Sequence, residues 1–333
     1  MSTAVDAAPD PIRPFNSLFI AHDQASCVME ALNRLLKYGY GSAVDGKSAA
    51  LVLLLGPSRS GKTVTLHKFI SKFATEVTLT GEYRPIIMFG IPEKCTIKTL
   101  LTGLLIAFGD PAAEKGTQAG KLMRVAHHIR EQKTRLIILD EGHHLIDSDS
   151  ERIIYSVSES IKTLLNLGLC PIALSGMPHT ADVVEKNPQL KGRLQEVVRL
   201  GNFRWSDPDD QKKFRMVLHM FDRACPFSER SGLGDPSLAY RIWIATDGLV
   251  GLVVQLLSRA IIHAIETSAP SLSLATLAVS FNAIHSVDQK PNPFLDKFDL
   301  NARSIKNESG PVNRSRQTKL KRGNRKNPEN PFG

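Results

Sequence analysis

Long apolar runs are missing from this sequence. The longest, Ala49 to Leu55, is far shorter than the roughly 20 residues a membrane-crossing helix needs, so no such helix is expected. No basic-then-apolar leader opens the chain, and a cytoplasmic protein without membrane contact is the expectation. Cysteine is scarce. Cys27, Cys95, Cys170 and Cys225 stand far apart with no C-x-x-C pair, which argues against a structural zinc and against a disulfide framework. Each thiol is expected to serve as a small apolar side chain. Strong charge is also missing from most of the chain. The formal net charge is +9, but between Arg303 and Gly333 nine Lys and Arg face two Glu, a local +7, which leaves +2 for Met1 to Ala302. The overall basicity therefore describes one stretch and not the body.

What is present is enough for two packed units, with 42% hydrophobic and 23% charged residues in 333. Residues 1–14, rich in Ala, Pro and Asp, are expected to be disordered. An amphipathic helix follows over Asp23 to Tyr38, with Val28, Leu32, Leu35 and Leu36 on one side. Strands and helices then alternate. Strands are expected at Ala50–Leu55, Pro85–Phe89, Leu136–Asp140, Cys170–Leu174 and Glu196–Leu200, with helices between them, as in a parallel sheet covered on both faces. After "RWSDPDD" the strand pattern stops. Asp207 as N-cap and Pro208 in the first turn announce a purely helical unit, with helices near 209–224, 237–246, 249–267 and 273–284. The expected division is 1–14 disordered, 15–205 an α/β nucleotide-binding domain, 206–287 a helical lid and 288–333 a flexible basic tail.

The stretch "LLLGPSRSGKTVTLHKF", Leu53 to Phe69, carries the most specific signal. Gly56, Pro57, Ser58, Arg59, Ser60, Gly61, Lys62 and Thr63 fit the phosphate-binding loop G-x-x-x-x-G-K-[ST], with Val64 opening the helix behind it. Glycines let such a backbone curl with its N–H groups inward around phosphates, and the helix N-terminus adds positive potential. Lys62 is the expected charge on the phosphate oxygens of ATP, and Thr63 the expected hydroxyl ligand of Mg²⁺. In "RLIILDEGHHL", Asp140 and Glu141 close an apolar strand where a parallel sheet delivers residues to its ligand edge. Asp140 is then expected to hold the metal through water and Glu141 to polarise the attacking water, which makes the chemistry hydrolysis. His143 and His144 are weaker: one could relay a contact to the γ-phosphate, while at least one reads as an exposed loop residue. Ser175, in "CPIALSGMP", reads equally as a γ-phosphate sensor and as a turn former. Arg193, in "NPQLKGRLQEV", is placed to enter a neighbouring copy's site, with a surface ion pair as the alternative.

Phosphate loop, Asp-Glu strand end, sensor strand, trans-acting arginine and helical lid together resemble the AAA+ ATPases, an α/β P-loop NTPase fold with a parallel sheet between helices. Three stretches narrow the resemblance: "FGIPEKCTIKTLLTGLLIAFGDP" (89–111), "RLIILDEGHHLI" (135–146) and "KTLLNLGLCPIALSGMPHTADVVEKNPQLKGRL" (162–194) look like the TniB and TnsC transposition regulators over about residues 15–265. The resemblance implies an ATP-binding homo-oligomer, ring or helical filament, on double-stranded DNA. It would link an upstream target-selection protein or RNA-guided complex to the transposase. It places DNA contacts on Lys94, Lys98, Lys121 and Arg124, each of which reads equally as an ordinary solvated side chain. One departure stands out: the lid helix "DGLVGLVVQLLSRAI" has Leu252 and Val253 where many AAA+ proteins carry a nucleotide-touching arginine. Two other readings stay open, a helicase-loader or secretion-associated ATPase on the same core, and a small-molecule P-loop kinase. The basic tail adds either DNA affinity or, through Asn-Pro-Phe at 292–294 and 330–332, a docking peptide whose implied partner is the transposase.

Overall fold

A computed structural model describes residues 12–40, 48–79, 81–146, 151–166, 168–287 and 290–298, with the backbone alone for 151–157. The expectations for residues 1–11 and for Arg303 to Gly333, the second Asn-Pro-Phe included, lie outside these residues. In chain order the elements are α1 (Arg13–Asn16), α2 (Asp23–Tyr38), β1 (Leu51–Leu55), α3 (Lys62–Ile70), β2 (Glu76–Thr78), β3 (Gly81–Tyr83), β4 (Ile86–Gly90), α4 (Ile97–Ala107), α5 (Gln118–Glu131) and β5 (Leu136–Asp140). Then come α6 (Glu151–Asn166), β6 (Ile172–Gly176), the one-turn helices α7 (Asp182–Glu185) and α8 (Pro188–Lys191), β7 (Leu194–Arg199), and the helices α9 (Pro208–Ala224), α10 (Pro236–Thr246), α11 (Val250–Glu266) and α12 (Leu274–Ile284).

Strands β1, β5 and β6 are buried at every position, as expected of parallel strands covered on both faces. The sheet order is β4-β5-β6-β1-β7, all parallel. From β1 the chain crosses to the β4 edge, steps back through β5 and β6 to lie against β1 again, and adds β7 on the far side. Alternation along the strands makes two cores. Leu51, Leu53 and Leu55 face Val125, Ile129, Ile161 and Leu164 of α5 and α6. Val52, Leu54 and Ile138 face Leu32 and Leu35 of α2 and Phe69 of α3. Each such side chain contributes about 1.5–3 kcal/mol by leaving water. The topology gathers the loops that follow β1, β5 and β6 at one edge.

Helix starts follow local chemistry. Thr96 caps α4 by accepting the Thr99 N–H at 3.2 Å, Thr117 caps α5, and Asp207 caps α9 ahead of Pro208. Three features differ from the sequence expectation. Regular pairing in β6 starts at Ile172 and not at Cys170, because Pro171 has no N–H to give the ladder. The hairpin β2–β3, too short to show alternation, projects Val77 and Leu79 into solvent. Residues Arg13–Asn16, the first two of which fall in the stretch 1–14 expected to be disordered, form a helical turn. Phe15 there is 2% exposed and lies 5.6 Å from Phe221, while Asn16 accepts from Ser258 at 2.7 Å.

The lid joins the sheet domain through Trp243, whose Nε1 donates to the Phe203 carbonyl at 2.7 Å, and through the Phe203 N–H to Gly248. The first Asn-Pro-Phe triplet packs onto this lid, with Asn292 and Phe294 buried. Buried Cys95, Cys170 and Cys225 behave as apolar residues, their thiols pushed up by burial to about 11, 12 and 12. Cys27 is exposed. Among the described residues no single helix is long and apolar enough to cross a membrane.

Candidate active site

The loop between β1 and α3 turns through two left-handed residues, Arg59 (φ 61) and Gly61 (φ 94), the second of which is the N-cap of α3. Lys62, 8% exposed, folds back so that Nζ donates to the carbonyls of Gly56 at 2.8 Å and Pro57 at 2.9 Å. Burial pulls the Lys62 ammonium below its ordinary pKa, and the nearby Asp140 and Glu141 oppose that shift. Ser60 is buried with its hydroxyl unpartnered.

The Asp-Glu pair arrives from β5. Asp140, 2% exposed, accepts the Thr63 hydroxyl at 2.7 Å on one carboxylate oxygen and the Glu141 N–H at 2.9 Å on the other. Glu141 itself is left-handed (φ 56), a conformation a side-chain-bearing residue adopts at a cost of order 1–3 kcal/mol and holds only when its surroundings impose it. Its carboxylate lies 3.3 Å from His143 Nδ1. Neither histidine is an exposed loop residue: His143 is 13% exposed, and His144 donates from Nδ1 to the Ile91 carbonyl at 2.7 Å, the direction of donation following from the acceptor. A cavity of about 380 Å³ opens between these groups, lined by Lys62, Thr63, Glu141, His143, Met177 and Gly251.

Ser175 lies on β6, between the strands that lead to Lys62 and to Asp140. It is fully buried and its hydroxyl has no hydrogen-bond partner. Arg193 immediately precedes β7, at the opposite end of the sheet from the phosphate loop, since Leu51 pairs with Leu194 and Leu55 with Arg199. The five-residue strand separates it from its own loop by roughly 17 Å. Its guanidinium donates to the Gln189 carbonyl and to Asn166 Oδ1.

The expected DNA contacts divide. Lys94, left-handed at φ 55, and Lys98 are exposed beside the end of β4. Lys121 is a correction: it is fully buried, its ammonium bonded to Thr102 Oγ1 at 2.9 Å and to the Ala113 carbonyl, and no surface phosphate can meet it. Arg124 is 32% exposed and pairs with Asp110 at 2.9 Å while donating to Ala112 and Lys115. Asp110 accepts in addition the Ala112 N–H and contacts His128 Nε2 at 3.1 Å, so "FGDP" is a staple holding α4 to α5. The stripe Lys121, Val125, Ile129 at helical spacing is the signal that Lys121 faces inward.

The lid reaches the loop by backbone. The Gly251 N–H donates to the Arg59 carbonyl at 2.9 Å, and a Cβ on Gly251 would stand 2.5 Å from that oxygen. The lid has Leu252 and Val253 where an arginine is expected, and the glycine before them makes the contact instead. Taken together, a buried cation bonded only to loop carbonyls and two converging oxygen donors fit a magnesium nucleotide.

A family model described as "Bacterial TniB protein" matches residues 15–205. The chain belongs to the TniB family. TniB proteins are transposition-associated AAA+ ATPases, and the sheet, its loops and the helical lid have that fold. Solved structures agree in fold. Aeropyrum pernix ORC2, in ADPNP–ADP complexes, is 15% identical with a TM-score of 0.56, covering 84% of this chain and 74% of that one. CDC6P from Pyrobaculum aerophilum is 15% identical with a TM-score of 0.58, covering 81% and 70%. Aeropyrum pernix ORC1 in complex with DNA is 14% identical with a TM-score of 0.54, covering 82% and 68%. No curated protein matches the chain in sequence.

Proposed function

We propose that this TniB protein is an ATP-dependent regulator of transposition that oligomerises on duplex DNA and connects a target-selection complex to the transposase. The observation that carries the reading is the convergence of Thr63 on Asp140 at 2.7 Å, beside Lys62 and Glu141, in a chain of this family. Lys62 exchanges its two loop carbonyls for phosphate oxygens when ATP binds. Thr63, and Asp140 through water, would hold Mg²⁺, which would neutralise phosphate charge. Glu141, oriented by its backbone and by His143, accepts a proton from the attacking water. Ser175 does not line the cavity; its buried, unpartnered hydroxyl, on the strand between those that lead to Lys62 and to Asp140, is the candidate γ-phosphate sensor.

Arg193 cannot serve its own nucleotide from the far end of the sheet. That position suits a neighbour's site, reached by releasing Gln189 and Asn166. Lys94 and Lys98 remain as contacts to DNA phosphates, and many subunits with two such contacts each suffice for a salt-sensitive grip on DNA. The near-neutral body is compatible with this.

Electron microscopy with duplex DNA tests the proposal. Rings or filaments are expected with a non-hydrolysable ATP analogue and for Glu141→Gln with ATP. That variant should turn over about a hundredfold more slowly, and Lys62→Ala should not assemble. A particle that stays single and indifferent to both ATP and duplex would overturn it.

A further inference from the structure

Asn-Pro-Phe occurs at 292–294 and again at 330–332, and the first copy sits in a built site on the lid. Asn292 is 7% exposed and Phe294 2%. The Asn292 amide donates from Nδ2 to the Ala278 carbonyl and to Asn282 Oδ1, both at 2.8 Å. Its Oδ1 accepts the Phe294 N–H at 2.9 Å, which folds the triplet into a tight turn. Arg241 of α10 donates to the Pro293 carbonyl and lies 3.3 Å from that of Leu295. The Phe294 ring meets Phe281 of α12 edge-on, 6.1 Å between centroids. Burial is confined to the three residues, for Pro291 on one side and Leu295 on the other are exposed. The site therefore reads Asn-Pro-Phe and almost nothing around it, and the triplet at 330–332 carries every group that it reads.

We propose that the cleft between α10 and α12 is a receptor for Asn-Pro-Phe, and that its second ligand is the triplet 330–332 of a neighbouring copy of this chain. Tether length assigns the two ligands. Only eight residue steps separate Ile284, the end of α12, from Asn292, about 28 Å at full extension, which confines the first triplet to its own lid. The second follows Phe294 by 36 steps, on the order of 120 Å fully extended, against roughly 50 Å for a compact body of the size that ends at Phe298, so it can reach the lid of a neighbour. In an isolated chain the short tether gives the first triplet the higher effective concentration. Copies held side by side raise that of the second, so one docked triplet replaces another with the same contacts and the neighbours become linked. The exchange in the assembled state rests on the oligomer proposed above, whereas the receptor does not.

A fluorescent peptide of residues 324–333 tests the receptor on the full-length chain, without nucleotide or DNA. It should bind Phe294→Ala/Phe332→Ala, whose cleft is vacated, at least tenfold more tightly than Phe332→Ala, whose cleft stays filled. A peptide carrying Phe332→Ala should not bind. Should Phe294→Ala unfold the lid, seen as a lost thermal transition, Asn292→Ala vacates the cleft while keeping the ring. Failure of the peptide to prefer the vacated chain, or binding that survives loss of its phenylalanine, would overturn the receptor. For the choice of a second copy, sedimentation velocity of Phe294→Ala/Phe332→Ala, which offers an empty cleft and no second triplet, mixed with the wild-type chain, whose own cleft is filled, should show a complex that a mixture with Phe332→Ala lacks. A mixture that stays monomeric refutes that choice.

Discussion

At the scale of single residues, several charged side chains hold the protein together in positions where sequence alone allowed them a ligand. Arg124, an expected DNA contact, is one, and the residue it pairs with is Asp110. Its side chain is 7% exposed; burial pushes its carboxyl up, but the Ala112 N–H, His128 and the Arg124 guanidinium outweigh burial and leave it below the usual carboxylate range. A carboxylate depressed in the fold contributes stability that is fully present above the unfolded value of about 3.9 and is lost as pH falls through the folded value. Asp110→Asn should therefore lower the urea midpoint at pH 7, by about 2 kcal/mol for hydrogen bonds to a buried charge, and the gap from wild type should close as the pH is taken below 4. An equal gap at pH 7 and pH 3 would refute the ionic origin of the staple. Glu141 shows the opposite economy, a strained backbone kept at the site where its carboxylate faces the cavity.

At the scale of elements, the alternating strands and helices were legible because β1, β5 and β6 are apolar at nearly every position and the phosphate loop marks β1 as the strand that leads to the ligand edge. The inward position of Lys121 is legible in the stripe it shares with Val125 and Ile129, but its partner is not, since the Ala113 carbonyl lies in a turn whose path depends on how α4 and α5 pack. The orienting contact of His143 on Glu141 was missed for a similar reason: it needs the left-handed turn, which leaves no mark in composition. The lid contact carries a prediction of its own. A side chain on Gly251 meets the Arg59 carbonyl at 2.5 Å, a backbone atom with little room to yield. Overpacking of this kind costs about 1–3 kcal/mol, so Gly251→Val should weaken ATP binding roughly ten- to a hundredfold while the thermal midpoint stays close to wild type. Titration with a fluorescent ATP analogue measures this. Unchanged affinity in a folded Gly251→Val chain would show that lid closure on the loop is irrelevant to the nucleotide.

At the scale of the whole molecule, the boundary of the folded body lies further along the chain than composition suggests. Pro, Asn and Lys from Ser286 onward read as a polar extension, yet Asn292 and Phe294 are core residues of the lid. The reason is that one aromatic ring, with an asparagine to close its turn, buries enough apolar area to hold a short polar segment in place, and three residues leave no periodicity to detect. Truncations separate the two views. Removing residues 299–333 leaves the Phe294 contacts intact and should leave the melting temperature unchanged. Removing 288–333 empties the cleft on α12, costing about 3–5 kcal/mol by analogy with a buried phenylalanine cut to alanine, and should lower the melting temperature by several degrees. Equal melting of the two would mean that the triplet adds nothing to the lid. The distinction also decides how partner recruitment is assayed: a transposase contact through the tail is tested cleanly only by the truncation after Phe298, because the longer deletion damages the lid as well.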